Sequence, residues 1–244
     1  MGDALLTTEG LSRSFGELRA VDGVSLEVAA GSMTGQNGPN GAGKTTFINL
    51  LTGVDVSGMA PDRLFGAGLG RTFQIPRPFA RMSVLENVML APMAQVGETS
   101  GGPCLFRGRM RDQERRSRAR ALEVLEFVTL ADLADHPAGQ ISGGQMKLLE
   151  LARVLMGDPK VILLDEPAAG VNPVLTETLI AKIEELNRGG TTFVIIEHDM
   201  DFVMRHCDPV IAMAEGRVIF QGTSEEALAN PVLLDAYLGA REDA

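Results

Sequence analysis

The apolar positions of the chain fall into short runs that predict a parallel β-sheet interleaved with helices. Residues 161–164 and 193–196 are continuously apolar, as expected for strands buried on both faces. Residues 175–187 between them have helical spacing and end just before two glycines. Strand, helix and strand in this order form a βαβ unit, which indicates a parallel sheet and an α/β fold.

Three further strands are predicted in the N-terminal part, over residues 5–11, 21–28 and 32–38. The third leads into a glycine-rich loop. Gln36 and Asn37 stand in it where a buried parallel strand normally has aliphatic residues. Buried amides need hydrogen-bonding partners, so we expect these two residues either to find partners or to weaken the strand.

Two segments predict helices outside the sheet. Residues 82–89 have helical spacing, and Ser83 with Glu86 three residues later forms a capping box. The arginine-rich run 107–120 continues into the helical spacing of 121–128, which favours a solvated helix face. Contact of this face with a partner protein or with lipid headgroups is the alternative.

The remaining segments give weaker signals. Residues 53–70 are rich in glycine and turn residues and contain little strand pattern. Residues 210–213 and 217–220 predict a hairpin, and residues 227–238 predict a closing helical segment interrupted by a proline.

Composition narrows the class of protein. The net charge of −10 argues against a surface that binds nucleic acid as its main task. Cys104 and Cys207 are far apart and form no C-x-x-C pattern, so we expect plain thiols in a reducing compartment. No signal peptide and no apolar run of about 20 residues is visible. We therefore expect a soluble protein whose membrane role, if any, comes through a partner.

A phosphate-binding loop is the strongest motif. Residues 38–46 fit G-x-x-x-x-G-K-[ST], in which glycines let successive backbone N–H groups converge on an anion. Lys44 is predicted to reach the β- and γ-phosphates, and the Thr45 hydroxyl to ligate Mg²⁺. The alternative is a glycine-rich turn that happens to contain a lysine.

Side chains suited to ATP hydrolysis follow the predicted strands. Asp165 and Glu166 come directly after strand 161–164, where α/β folds place ligands. Asp165 suits the outer shell of Mg²⁺, and Glu166 can orient or deprotonate the attacking water. His198 follows strand 193–196 and is expected beside the γ-phosphate. The amide of Gln74 can reach the metal or the water.

A second anion-binding motif changes this interpretation. Ser142 is followed by Gly143 and Gly144 at the start of a helix predicted over 143–157, which again presents backbone N–H groups and a hydroxyl. One nucleotide does not easily use two such nests of a single chain when they lie on separate faces. We therefore predict that two chains enclose ATP and that each supplies one nest.

With these motifs in place, the chain resembles the ATP-binding subunit of an ABC transporter over nearly its whole length. In the terms of that family, the segments are the phosphate loop 38–46, the Q-loop glutamine Gln74, the signature 141–145, the Walker B strand 161–165 with the catalytic Glu166, the D-loop 169–172 and the switch histidine His198.

The resemblance implies a P-loop NTPase (RecA-like) core with a parallel sheet, a reduced antiparallel β-subdomain and an inserted α-helical subdomain. The core covers about 1–78 and 153–222, the helical signature subdomain about 79–152, and a C-terminal segment 223–244. Implied partners are a second ATP-binding subunit (identical or a sister), transmembrane permease subunits and, indirectly, a solute-binding protein. The implied location is the cytoplasmic face of the cell membrane.

The resemblance also assigns roles to residues. Phe15 matches the aromatic residue that stacks on adenine. The other expected ATP contacts are Asn40, Gly41, Ala42, Gly43, Lys44, Thr45, Thr46, Ser142, Gly143, Gly144 and Gln145. Mg²⁺ is assigned to Thr45, Gln74 and Asp165, and catalysis to Lys44, Gln74, Glu166 and His198.

Segments 71–78, 165–173, 197–200 and 234–239 are similar to importers of branched-chain amino acids. The chain departs from relatives at Gln36 and Asn37, and the stretch from 53 to 71 is shorter by about two strands of ~5–6 residues. Two rival functions remain: a non-transport ABC ATPase that acts on DNA or ribosomes, and a nucleotide-responsive subunit without useful turnover.

Overall fold

The computed structural model describes residues 3–52, 61–72, 76–90, 107–231 and 233. The predictions for Gln74, Cys104 and segment 234–239 lie outside these residues. The chain divides into two compact units. The first comprises 1–74, 160–169 and 184–244, and the second comprises 75–159 and 170–183.

A six-stranded sheet forms the centre of the first unit and confirms the predicted α/β fold. Its order is β4-β5-β6-β3-β7-β8, parallel throughout except for the antiparallel pair β7–β8. The strands are β3 (Met33–Asn37), β4 (Leu69–Arg71), β5 (Val161–Asp165), β6 (Thr192–Ile196), β7 (Val210–Ala214) and β8 (Arg217–Gly222). The hairpin predicted for the last two strands is confirmed.

A second, antiparallel sheet of the same unit consists of β1 (Ala4–Phe15) and β2 (Leu18–Ala29). Alternate residues of β2 are buried, among them Val24, Leu26 and Val28. They join one apolar cluster with residues of α1 (Lys44–Leu51) and of strands β5 to β7. This packing holds the strands and the helix that flank the phosphate loop.

Register aligns the carboxyl ends of the central strands. Gln36 of β3 lies opposite Ile196 of β6, and Ile196 lies opposite Asp165 of β5. Residues that follow these strands therefore meet at one edge of the sheet, as Glu166 and Glu197 do.

The weak prediction for residues 53–70 was wrong in part. Residues Pro61–Gly66 form a helix, α2, and Leu69–Arg71 form strand β4. Proline is favoured at the first position of a helix, because its missing N–H has no partner there in any case. A strand of three residues gives too short a pattern to identify from sequence.

Gln36 and Asn37 are both fully buried, as expected for their strand. The Asn37 amide donates to Met200 Sδ at 3.6 Å, and its oxygen accepts the Gly38 N–H, the first amide of the phosphate loop. The Gln36 amide donates to Met213 Sδ, whereas its Oε1 has no hydrogen-bond partner among the described residues. An unsatisfied buried polar atom destabilises a fold by about 1–3 kcal/mol.

Replacing Gln36 with leucine is therefore expected to stabilise the protein. Removing the orphan oxygen while keeping the side-chain volume should raise the free energy of unfolding by about 1 kcal/mol and the Tm by about 2–4 °C. Thermal unfolding without nucleotide measures this. The matched control is Gln221→Leu at an exposed position of β8, where no gain is expected. A lower Tm for Gln36→Leu would show that the unpaired Gln36 oxygen does not destabilise the fold.

The second unit is helical. It contains α3 (Val84–Met89), α4 (Arg107–Phe127), α5 (Gly143–Leu155) and the first part of α6 (Pro173–Arg188). The Ser83 capping box is present, and the predicted helix over the arginine-rich run is confirmed, with Arg111, Arg115 and Arg118 exposed. None of the helices among the described residues is long and apolar enough to cross a membrane.

Two short helices complete the first unit, α7 (Met200–His206) and α8 (Ser224–Leu228). Gly35 of β3 lies against α7 so closely that an added Cβ would stand 2.5 Å from Val203 and 2.7 Å from Cys207. Cys207 is a buried free thiol whose pKa is raised to about 12, mainly by burial. This agrees with the plain thiol expected from sequence.

Candidate active site

The phosphate loop connects β3 to the first turn of α1. Gly41 and Gly43 have φ values of 81° and 94°, a backbone region that favours glycine. A Cβ on Gly43 would also collide with the backbone oxygen of Ala20. The loop therefore needs glycine here for two reasons, and Gly43 directly precedes the helix start at Lys44. A helix N-terminus with free backbone N–H groups favours bound phosphate.

The Lys44 ammonium group lies over this loop. Nζ donates to the carbonyl oxygens of Gly38 at 2.5 Å and Pro39 at 3.0 Å. Burial lowers the pKa of Lys44, and the carboxylates of Glu166 and Asp165 oppose that shift. The two carbonyl oxygens that accept from this buried cation can be exchanged for phosphate oxygens.

A cavity of about 640 Å³ opens beside the loop in the first unit. Its lining includes Phe15, Leu18, Glu166 and the whole of residues 40–46. Phe15 is 50% exposed, and the Arg13 guanidinium lies over its ring, 5.1 Å from the ring centroid. A cation–π contact steadies the ring, and an exposed aromatic ring at the rim of a phosphate cavity suits stacking on a nucleotide base.

Asp165 ends β5 in a buried position beside Arg71 of β4. Arg71 Nη2 lies 3.4 Å from Asp165 Oδ2, and its Nη1 donates to Asn49 Oδ1 and Thr52 Oγ1. Burial lowers the pKa of Arg71, and the charge of Asp165 opposes the shift. The arginine thus fixes the carboxylate at the end of the strand.

The donor chemistry of this edge fits Mg²⁺. Thr45 supplies a hydroxyl in the first turn of α1, and Asp165 supplies a carboxylate. Mg²⁺ binds few protein oxygens and completes its shell with water and phosphate oxygens. No group of three His, Cys, Asp or Glu side chains among the described residues could hold a metal by itself. The Thr45 hydroxyl and the Asp165 carboxylate are oxygen donors of the kind that suits a magnesium ion.

Glu166 and His198 meet where β5 and β6 end. Glu166 has a φ of 46°, a left-handed conformation that costs a non-glycine residue about 1 kcal/mol or more and is often found at functional sites. Its Oε1 is 3.9 Å from His198 Nδ1, and the imidazole is 59% exposed. The carboxylate is thus within reach of the cavity and of the histidine.

Ser142 begins helix α5 of the second unit with a reciprocal cap. Its Oγ accepts the Gln145 N–H at 3.3 Å, while Gln145 Oε1 accepts the Ser142 N–H at 2.8 Å. The hydroxyl proton of Ser142 remains available to an acceptor. Gly143 is exposed, and a Cβ added to it would meet nothing within 4 Å, whereas a Cβ on Gly144 would collide with Leu175 and Val171.

The first unit thus brings together most of the predicted site. The phosphate loop, Phe15 and Glu166 share one cavity, and Asp165 and His198 flank Glu166. Ser142 to Gln145 lie in the second unit. The sequence did not indicate the contacts that Arg13, Arg71 and Glu197 make in this site. Only Glu197 carried a signal, a carboxylate between an apolar strand and the predicted histidine.

Comparisons with known proteins identify the class. Residues 21–169 match the family model described as ABC transporter. The chain is 40% identical to the probable branched-chain amino acid transport ATP-binding protein LivG of Archaeoglobus fulgidus, over 98% of this chain and 96% of that protein. The chain belongs to the ABC transporter family and is an ATP-hydrolysing subunit.

Two solved structures support the same conclusion. An ATP-binding cassette of an ABC transporter in its ADP conformation is 38% identical, with a TM-score of 0.79 over 96% of this chain and 98% of that one. A dimeric bacterial ABC transporter cassette is 25% identical, with a TM-score of 0.73 over 89% and 98%. The likeness confirms the predicted cassette fold.

Proposed function

We propose that this chain energises the import of branched-chain amino acids through a membrane permease. The observation that carries the hydrolytic part is the shared cavity of phosphate loop and Glu166. The solute is inferred from the similarity to LivG, over nearly the full length of both chains. The acidic net charge of −10 opposes the rival function on nucleic acid.

The catalytic site is shared between two chains. Lys44, Thr45, Gln74, Asp165, Glu166 and His198 come from one chain, and Ser142, Gly143 and Gly144 come from the other. The exposed Gly143, with open space around it within its own chain, supports a role in contacting a second molecule. The likeness to a dimeric cassette agrees with this arrangement. In purified protein the second chain is another copy, and in the transporter it is a copy or a sister subunit.

Hydrolysis depends on positioning and charge. Lys44 and the amides of residues 40–46 bind the phosphates, and Phe15 stacks on the adenine. Glu166 orients and deprotonates the attacking water, while His198 holds the γ-phosphate. Thr45, Asp165 and Gln74 would hold a magnesium ion, which would neutralise phosphate charge when bound. Closure of two chains on ATP shifts the permease between conformations, and hydrolysis reverses the shift.

Transport by the purified complex tests the function. An affinity tag on this chain is used to purify it together with its permease from the membrane. The complex is then reconstituted into vesicles with its solute-binding protein. We expect ATP-dependent uptake of leucine and valine but not of arginine, and none with Glu166→Gln. If the complex hydrolyses ATP but takes up no branched-chain amino acid, the proposed identity of the solute is wrong. Retention of the chain on DNA at physiological salt would revive the nucleic-acid rival.

A further inference from the structure

Glu197 is a buried carboxylate at the edge of the sheet where the catalytic side chains meet. It follows β6 directly, and only 1% of it is exposed. Burial of a charged carboxylate is costly unless the charge is compensated, and here burial raises the pKa of Glu197. A glutamate in such a position needs a physical reason, and its contacts supply one.

The two oxygens of Glu197 contact two different loops. Oε1 accepts the backbone N–H of Ala168 at 3.0 Å, in the loop that follows Glu166. Oε2 lies 3.7 Å from His198 Nδ1. The backbone N–H of Glu197 donates to the carbonyl of Gln36, just before the phosphate loop. One residue therefore joins the exits of three neighbouring strands.

Backbone hydrogen bonds also fix the loop that contains Glu166 and Ala168. The Glu166 N–H donates to the Ile196 carbonyl at 2.9 Å, and the Ala169 N–H donates to the Glu166 carbonyl at 3.2 Å. The Glu166 conformation, with its positive φ, is held between these bonds and the Glu197 carboxylate. Losing the Ala168 contact would free the loop, whereas losing only the charge would leave the loop in place.

We propose that Glu197 is a positioning residue for ATP hydrolysis, holding His198 through Nδ1 and the Glu166 loop through the Ala168 amide. Its carboxylate faces Nδ1 from 3.7 Å and Glu166 faces the same nitrogen from 3.9 Å, so that charge attraction draws Nδ1 toward the strand ends and leaves Nε2 for the γ-phosphate. The exposed histidine then keeps one orientation relative to Glu166. This inference rests on the proposed roles of Glu166 and His198.

Glu197→Gln separates the two contacts. The amide oxygen still accepts the Ala168 N–H, but the negative charge beside His198 is lost. We expect kcat to fall about 10-fold, because small displacements of catalytic groups are costly, while KM for ATP stays within about twofold. The Tm should remain near that of the parent. A parental kcat for this variant would overturn the proposal.

A matched control uses a Glu–His contact of the same unit that lies away from the strand ends. Glu184 Oε1 lies 3.1 Å from His206 Nδ1, and neither residue belongs to the site. Glu184→Gln removes a carboxylate from a histidine without touching the strand exits, so kcat should stay at the parental value. An equal fall in kcat for both variants would show a nonspecific charge effect and overturn the proposal.

A double-mutant cycle shows whether Glu197 acts through His198. We expect His198→Ala to lower kcat about 100-fold and Glu197→Gln to lower it no further in that background. If the losses of kcat from the two substitutions are fully additive, Glu197 does not act through His198, and only its positioning role is overturned. A parental kcat for His198→Ala would overturn both this role and the proposed role of the histidine. The two failures are thus distinguishable.

Discussion

Replacing Glu166 with glutamine should lower the steady-state rate of ATP hydrolysis at least about 100-fold, since an amide cannot accept the proton of the attacking water. The substitution preserves the size of the side chain and the backbone bond to Ile196. Glu166 lines the phosphate cavity, and no other carboxylate follows β5 at that point. Its backbone is left-handed, with φ 46°, a strained conformation that persists only where the surrounding fold holds it and that is frequent at active sites.

Binding of ATP should survive the same change. In the proposed site Lys44 and the loop glycines hold the phosphates, and removing a nearby negative charge should not weaken their contacts. Phosphate release measures turnover, and a fluorescent ATP analogue measures affinity in the same preparation. We also expect the ATP-bound variant to accumulate as a dimer. Glu184→Gln serves as the control with unchanged turnover. Parental hydrolysis by Glu166→Gln would show that another group activates the water.

Gly143→Asp should have the second large effect, again a loss of hydrolysis of about 100-fold. Within its own chain we expect this substitution to be tolerated, because Gly143 is exposed and a Cβ added there meets nothing within 4 Å. In the proposed shared site, however, Gly143→Asp would place a negative charge and extra volume against the phosphates of ATP held by the other chain. Like charges at such contact cost several kcal/mol, which is enough for this loss.

The two properties of Gly143→Asp must be measured together. Its Tm and its affinity for ATP as a monomer should equal those of the parent, while phosphate release should disappear. Ala119→Asp, at an exposed position of α4 in the same unit, adds the same charge and should leave hydrolysis unchanged. A Gly143→Asp variant with full turnover would show that this face does not take part in catalysis.

The sequence predicts the parts of the fold whose pattern is local. The strands over 161–164 and 193–196, the phosphate loop and the caps at Ser83 and Ser142 all depend on neighbouring residues, and the structure has them at those places. Each pattern follows from burial on both faces of a strand or from backbone N–H groups at a helix start.

Features that depend on register could not be predicted in this way. Arg71 reaches Asp165 because β4 pairs with β5, a contact over 94 positions of sequence. Glu197 gains its position because β3, β5 and β6 end in one row. The Gln36 amide nitrogen donates to Met213 Sδ, whereas its oxygen has no partner among the described residues. Met213 lies 177 positions away in the sequence, so local pattern could not predict this contact.

Complementation between two inactive variants tests the shared site most directly. Lys44→Ala removes the proposed phosphate-binding cation of one chain, and Gly143→Asp alters the surface that the chain is proposed to present to its partner. Each variant alone should release almost no phosphate. In a mixed pair, however, the intact Lys44 of one chain meets the intact Gly143 of the other.

Phosphate release by an equimolar mixture is therefore the measurement that matters most. We expect activity to reappear on mixing, at a fraction of the parental rate set by the share of mixed pairs. We expect no activity when both substitutions are placed in one chain. A mixture as inactive as its two components would contradict a catalytic site built from two chains.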